Sequence, residues 1–270
     1  DPKSTESNGT ETKSSDLKPI DPTKLTTKSY PYFIQLYKQN YVLPYYYVRQ
    51  NQPHYKHNTP GNAGAQNEEF KAQLSLLLPI THNLFWNPDL SIDVTITEQY
   101  NWQAYISGMY MREITYEPTL DIKYQITKNT NLFFSANHQS NGAGGNNERN
   151  WHRAIGAIEY RNKSFYVKTS AWFIFLRDPA FTEFNPDITH YLGQTQLLLS
   201  YKMMNLITTI ELQNLESRLK RGYIQASLSY PIWNEARIFA QYFNGYGETL
   251  VNYNYRTYAY GVGFSLGDFL

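Results

Sequence analysis

Apolar and polar residues trade places every second position in run after run of this 270-residue chain. Phe70, Ala72, Leu74, Leu76 and Leu78 alternate with Lys71, Gln73 and Ser75, and Leu90, Ile92, Val94 and Ile96 with Ser91, Asp93, Thr95 and Thr97. Ile114, Tyr116, Leu120, Ile122 and Tyr124 alternate with Glu113, Thr115, Glu117, Asp121 and Lys123. Near the end Tyr258, Tyr260, Val262, Phe264 and Leu266 alternate with Thr257, Ala259, Gly261, Gly263 and Ser265. Period two is the mark of a strand with one apolar and one polar face. Each run has about the ten residues that a tilted strand needs to cross a bilayer.

The aromatic load decides between a soluble and a membrane sheet. Tyr 25, Phe 14 and Trp 5 make 16% of the chain, yet mean hydropathy is −0.58. A soluble globule with so many rings would carry more aliphatic core. A transmembrane barrel reconciles the two values, with rings in its interfacial girdles and a polar face turned to the lumen. The expected fold is therefore an all-β, twelve-stranded antiparallel transmembrane β-barrel with a polar, filled interior. The twelve candidate strands are roughly 42–50, 69–79, 90–103, 110–126, 131–140, 150–161, 163–175, 187–201, 204–214, 219–230, 235–245 and 255–268. The last would run on to the C-terminus and close against the first. Residues 1–28 read as a polar, disordered tail and 29–270 as one barrel domain. The competing folds, a β-sandwich or a lipocalin-like barrel, call for shorter strands.

Other classes are excluded by content. No run of 18 apolar residues offers a membrane helix. With 24 Lys+Arg against 23 Asp+Glu, the net charge of +1 gives no field to attract nucleic acid. There is no Cys, hence no thiol catalysis and no disulfide. The chain opens on Asp1 without a visible signal peptide and reads as a processed form.

Chemistry concentrates around one strand end. In Leu132-Phe133-Phe134-Ser135-Ala136-Asn137-His138-Gln139-Ser140, the more apolar, lipid-directed set contains His138 and Ser140. Their Cα atoms would lie about 6.8 Å apart. On the next strand His152 shares parity with Ala154, Gly156 and Ile158. If Ser140 faces Asn150, antiparallel pairing sets His138 opposite His152. Three readings stand: a nucleophile, base and orienting group; a zinc site of His138, His152 and Glu148; or ordinary polar residues at a wet barrel rim. Gly263-Phe264-Ser265-Leu266-Gly267 matches the G-x-S-x-G string, but only three residues follow it, too few for the helix that a nucleophile elbow requires.

With Asn137-His138-Gln139-Ser140-Asn141-Gly142 and Trp151-His152-Arg153, the chain resembles the outer-membrane phospholipase A family. Tyr116-Glu117-Pro118, Asn185-Pro186-Asp187-Ile188, Tyr191-Leu192-Gly193, Leu228-Ser229-Tyr230-Pro231 and Gly245-Tyr246-Gly247-Glu248 support the likeness over residues 68–270. The resemblance implies a calcium-dependent serine hydrolase of the bacterial outer membrane. Such an enzyme cleaves acyl esters of phospholipids at the barrel's outer rim and is activated by homodimerisation. It implies Ser140 as nucleophile, His138 as general base and the Gly142 N–H in the oxyanion hole. Calcium would take the Ala143 carbonyl and Glu148, with Ser107 contributed by the partner subunit. One triplet departs from the family pattern: where W-N-R is usual, this chain has Trp151-His152-Arg153. His152 can orient His138 when neutral, and Asn150 and Asn147 are its rivals. The alternative function is a passive porin or a structural or adhesin barrel.

Overall fold

A computed structural model describes residues 34–49, 59, 64–218 and 220–270. The 1–28 tail and most of the 50–67 loop lie outside the described residues. The alternating runs form β1 (Gln35–Leu36), β2 (Asn40–Val48), β3 (Glu68–His82), β4 (Leu90–Gln103), β5 (Tyr110–Thr127), β6 (Thr130–Ser140) and β7 (Asn150–Arg161). They continue as β8 (Phe165–Leu176), β9 (Thr195–Met203), β10 (Leu206–Gln213), β11 (Tyr223–Trp233), β12 (Ala236–Tyr246) and β13 (Arg256–Leu266). From β2 on, each strand pairs antiparallel with the next, and β13 returns to β2 with Leu266 opposite Asn40 and Ala259 opposite Val48. Twelve strands, β2 to β13, thus close a barrel. β1 continues the line of β2 across a break at residues 37–39, pairing Gln35 with Leu77 of β3.

Closure leaves no free edge, and the faces sort as the alternation requires. Leu74, Leu120, Ile122, Leu132, Phe134, Ile158 and Val262 are exposed on the outside, as a lipid-facing band should be. Inside, Arg112 is clasped by Glu69 at 2.6 Å and Glu248 at 2.8 Å, all three buried. Lys71 donates to Tyr46 and Gln241 at 3.2 Å each. Glu117 holds both Lys38 at 3.0 Å and Arg153 at 3.1 Å. Charges this deep need partners, and several of these paired groups line a polar cavity of about 260 Å³ within the lumen. Among the described residues no helix is long and apolar enough to cross a membrane.

Two stretches differ from the sequence expectation. The 187–201 strand starts only at Thr195, because α1 (Pro179–Phe184) and α2 (Ile188–Leu192) occupy the segment after β8. Asp178 caps α1, accepting from the Phe181 N–H, and Pro179 begins it. Phe181, Ile188 and Leu192 pack with Trp151, Trp172, Leu250 and Tyr253 into an apolar cluster beneath the loops. An apolar i, i+4 pair can serve a helix as well as a strand, which is why parity misread this piece. The last strand likewise stops at Leu266. Gly267 turns at φ 71°, Asp268 accepts from Gln39 at 3.0 Å, and Phe269 stacks on Tyr166 at 5.2 Å inside the barrel. The four C-terminal residues therefore tuck into the end that carries the short turns. The long loops, including the α1–α2 segment, lie at the other end, the extracellular one by the usual asymmetry of such barrels.

Candidate active site

β6 ends at the long-loop rim, and strict alternation separates its last side chains. Asn137 turns into the lumen, donating to Thr119 at 2.7 Å and accepting from Arg153 Nε at 2.8 Å. Gln139 also turns inward and accepts from the buried Trp151 Nε1 at 2.6 Å. His138 and Ser140 are left on the outer face, both half-buried. The β6–β7 register pairs Ser140 with Asn150 and His138 with His152, and β5 sets Tyr116 opposite Ser140.

The two imidazoles meet. His138 Nδ1 lies 3.2 Å from His152 Nδ1, with ring centroids 4.5 Å apart. The other nitrogen of His152, Nε2, lies 3.1 Å from Asp178 Oδ2. Phe175 sets its ring edgewise to His152. Asp178 stands just past β8, and its carboxylate also accepts from Asn150 Nδ2 at 3.1 Å and from the Phe181 N–H at 2.8 Å. Burial would raise its pKa. The Phe181 N–H and the side chains of His152 and Asn150 outweigh that and hold it below the ordinary carboxylate range. Asn185, fully buried, fastens the helical segment to β7. Its Oδ1 accepts from the Asn150 N–H at 3.2 Å and its Nδ2 donates to the Asn150 carbonyl at 2.7 Å.

The loop after Ser140 is organised by Asn141. Its Oδ1 accepts from the N–H groups of Ala143 and Arg149, and its Nδ2 donates to the Asn147 carbonyl at 2.8 Å and to Glu113. Gly142 turns at φ 56°, a left-handed conformation suited to glycine, and is exposed. Ala143 is exposed, Glu148 half-buried, and the Asn147 Oδ1 is buried without a hydrogen-bond partner. Carbonyl, amide and carboxylate oxygens are the donors that calcium prefers, so this loop suits it. Ser107 is exposed on the separate β4–β5 loop.

Among the described residues no group of three or more His, Cys, Asp or Glu is placed to hold a metal, so the zinc arrangement is not assembled. Of the rival orienting groups, Asn150 donates its amide N–H to Asp178 and the backbone carbonyl of Asn147 accepts from Asn141, while the side-chain Oδ1 of each is buried without a hydrogen-bond partner. Ser265 is buried in β13 opposite Tyr41 and Arg237, with no helix after it. Asp178 escaped sequence reasoning. Its one local signal is Asp before Pro, a helix start, which says nothing of His152. The link also depends on a bulge that pairs His152 with Leu176 but Arg153 with Ile174, which parity counting cannot foresee.

A family model described as phospholipase A1 matches residues 21–266. The chain is 30% identical to the phospholipase A1 of Escherichia coli K12 over 214 residues, covering 76% of this chain and 71% of that one. It is 29% identical to the Klebsiella pneumoniae phospholipase A1 over 248 residues, covering 88% and 84%. Among solved structures, a calcium-bound dimer of the Salmonella typhi outer membrane phospholipase superposes with a TM-score of 0.80 at 26% identity, covering 89% of this chain and 94% of that one. The E. coli outer membrane phospholipase A gives a TM-score of 0.79 at 27% identity, covering 88% and 99%. A form of the E. coli protein with an active-site asparagine changed to alanine gives 0.79 at 25%, covering 91% and 96%.

Proposed function

This chain belongs to the phospholipase A1 family, and on that premise we propose that Ser140 is its nucleophile, His138 its general base and His152 the group that orients the base. It is an outer-membrane phospholipase, an ester hydrolase of the bacterial outer membrane. The observation that carries the residue assignment is the 3.2 Å contact between His138 Nδ1 and His152 Nδ1 on the face that also bears Ser140. With Nδ1 engaged, Nε2 of His138 is the nitrogen left for the serine hydroxyl.

The outward parity places this chemistry where the substrate is. A phospholipid in the outer leaflet presents its ester near the rim, beside Ser140. Ser140 Oγ attacks the carbonyl carbon as its proton passes to His138 Nε2. The Gly142 N–H helps hold the oxyanion. The tetrahedral adduct then collapses, the C–O bond to the glycerol oxygen breaks, and His138 returns the proton to that oxygen. Water repeats the sequence on the acyl-serine ester, releasing the fatty acid and restoring Ser140.

For calcium, the proposed donors are the Ala143 carbonyl and Glu148, completed by Ser107 of the partner subunit in a homodimer. The hard-oxygen chemistry of the 141–149 loop, the orphaned Asn147 Oδ1 and the calcium-bound dimer of the Salmonella relative support this reading. Bound there, calcium supplies positive charge to polarise the ester oxygen or a water.

The test is hydrolysis of phospholipid in mixed micelles, with and without calcium. Ser140→Ala and His138→Ala should each lower kcat by roughly 10⁴-fold or more, and the double variant little further, because the pair acts as a unit. A sulfonyl fluoride should label Ser140. Label on Ser265, or full activity in Ser140→Ala, would refute the assignment.

A further inference from the structure

We infer that Asp178 is a positioning residue that fixes, through His152, the tautomer of the catalytic base. The inference rests on the reading of Ser140 and His138 as nucleophile and base.

An ionised carboxylate only accepts hydrogen bonds. Asp178 Oδ2 lies 3.1 Å from His152 Nε2, so that nitrogen carries the proton. A neutral imidazole has one N–H, which leaves His152 Nδ1 with a bare lone pair. That lone pair faces His138 Nδ1 at 3.2 Å, so His138 Nδ1 is the donor. His138 then has its own lone pair on Nε2, the form that accepts the Ser140 proton. One fixed anion thus sets two tautomers in series. When His138 takes up the Ser140 proton on Nε2, its Nδ1–H need not move, and the new charge stays hydrogen-bonded toward Asp178.

The carboxylate is itself held for this task. The Phe181 N–H takes Oδ1 at 2.8 Å, and Asn150 Nδ2 shares Oδ2 at 3.1 Å. Its charge persists through mildly acid conditions, because these partners keep it below the ordinary carboxylate range against the opposing effect of burial. The groups around His152 are His138 from β6, Asp178 beyond β8, the apolar ring of Phe175 and, on its own strand, the inward-turned Arg153. Asp178 supplies the one fixed negative charge among them. Asn cannot replace it. The oxygen of an amide at 178 would keep the Phe181 N–H and its NH2 would point at His152 Nε2. His152 would then have to bare Nε2 and protonate Nδ1. His138 would have to accept at Nδ1 and carry its proton on Nε2, where it cannot receive one from Ser140.

The experiment uses the full chain in detergent micelles with calcium. Asp178→Asn should lower kcat by roughly 10²-fold or more with KM changed by no more than about threefold, following the logic of a wrong-tautomer substitution. Asp178→Ser keeps a helix-capping oxygen without imposing the wrong tautomer, and should cost only about tenfold. The deciding comparison is made in His152→Asn, whose amide does not depend on Asp178. There Asp178→Asn should change kcat by no more than about threefold, because coupled residues are not additive. Equal losses in both backgrounds would make Asp178 merely a helix cap and overturn the inference. A wild-type kcat in Asp178→Asn would overturn it as well. Independently of any variant, ¹⁵N resonances of the wild-type imidazoles should report His152 protonated at Nε2 and His138 at Nδ1; the reverse assignment would refute the relay. Full activity in Ser140→Ala would instead overturn the nucleophile assignment, so the two failures are distinguishable.

Discussion

An imidazole has a second ring nitrogen that can take a proton and an amide has none, so His138 meets at His152 a different kind of partner from an asparagine. The unperturbed histidine pKa is about 6.5. Protonating His138 fills the Nε2 lone pair that receives the Ser140 proton. Protonating His152 fills the Nδ1 lone pair that accepts from His138. The two nitrogens lie 3.2 Å apart, so either event breaks the contact between the rings. Asp178 is not the source of an acid limb near neutrality. Its pKa lies below the carboxylate range, so its charge, and the stability it contributes, is complete above the unfolded pKa and is lost only as pH falls through the depressed folded value. Activity should therefore fall on the acid side with more than one proton involved. His152→Asn should keep substantial activity and flatten that limb toward a single proton, while His152→Ala should cost less than Ser140→Ala. The measurement is the pH–rate profile of wild type and His152→Asn at saturating calcium. Superimposable acid limbs would mean that His152 does not act on the base.

The elements place these residues with different legibility. β6 and β7 could be read from alternation alone, because period two dictates which side chains share a face and antiparallel pairing dictates who faces whom. Those two rules alone set His138 against His152. The α1–α2 segment was not legible. Ile188 and Leu192 fit either period, and what decides for helix is tertiary: the cluster with Trp151, Trp172 and Tyr253, and the capping by Asp178. Asp178 was hidden for the same reason, since its partner lies across a bulged register. The inward turn of Phe269 lies beyond Gly267, where alternation stops carrying information. If the helical segment presents Asp178 to His152, its fastening should matter. Asn185→Ala removes both bonds to the Asn150 backbone and leaves a buried N–H and C=O unpartnered, at about 1–3 kcal/mol each. The variant should melt several degrees earlier and lose kcat, with KM little changed. An unaltered kcat alongside a lowered Tm would show that the segment stabilises the barrel without setting the site.

At the scale of the whole molecule, the barrel is a closed wall with a network of paired charges in its lumen and, on the reading above, its chemistry outside. Arg112 between Glu69 and Glu248, and Glu117 between Lys38 and Arg153, cross-link the inner wall by ion pairs. Regulation on such a scaffold falls naturally on the rim and on a second copy of the chain. If calcium bridges the Ala143 carbonyl and Glu148 of one protomer to Ser107 of the partner subunit, binding and association are thermodynamically linked. Calcium must then strengthen dimerisation by the same factor by which dimerisation strengthens calcium binding. The expected outcome is a dimer dissociation constant in detergent that drops at least about tenfold on adding calcium, a coupling of about 1.4 kcal/mol. Glu148→Gln weakens the carboxylate donor on one side of the bridge and Ser107→Ala removes the hydroxyl on the other, so each should reduce that coupling without unfolding the barrel. Sedimentation in density-matched detergent, across a calcium series and read beside hydrolysis, measures both quantities in one sample. A calcium requirement that persists in a strictly monomeric, fully active enzyme would place the ion within one chain, and dimerisation that ignores calcium would separate assembly from the metal altogether.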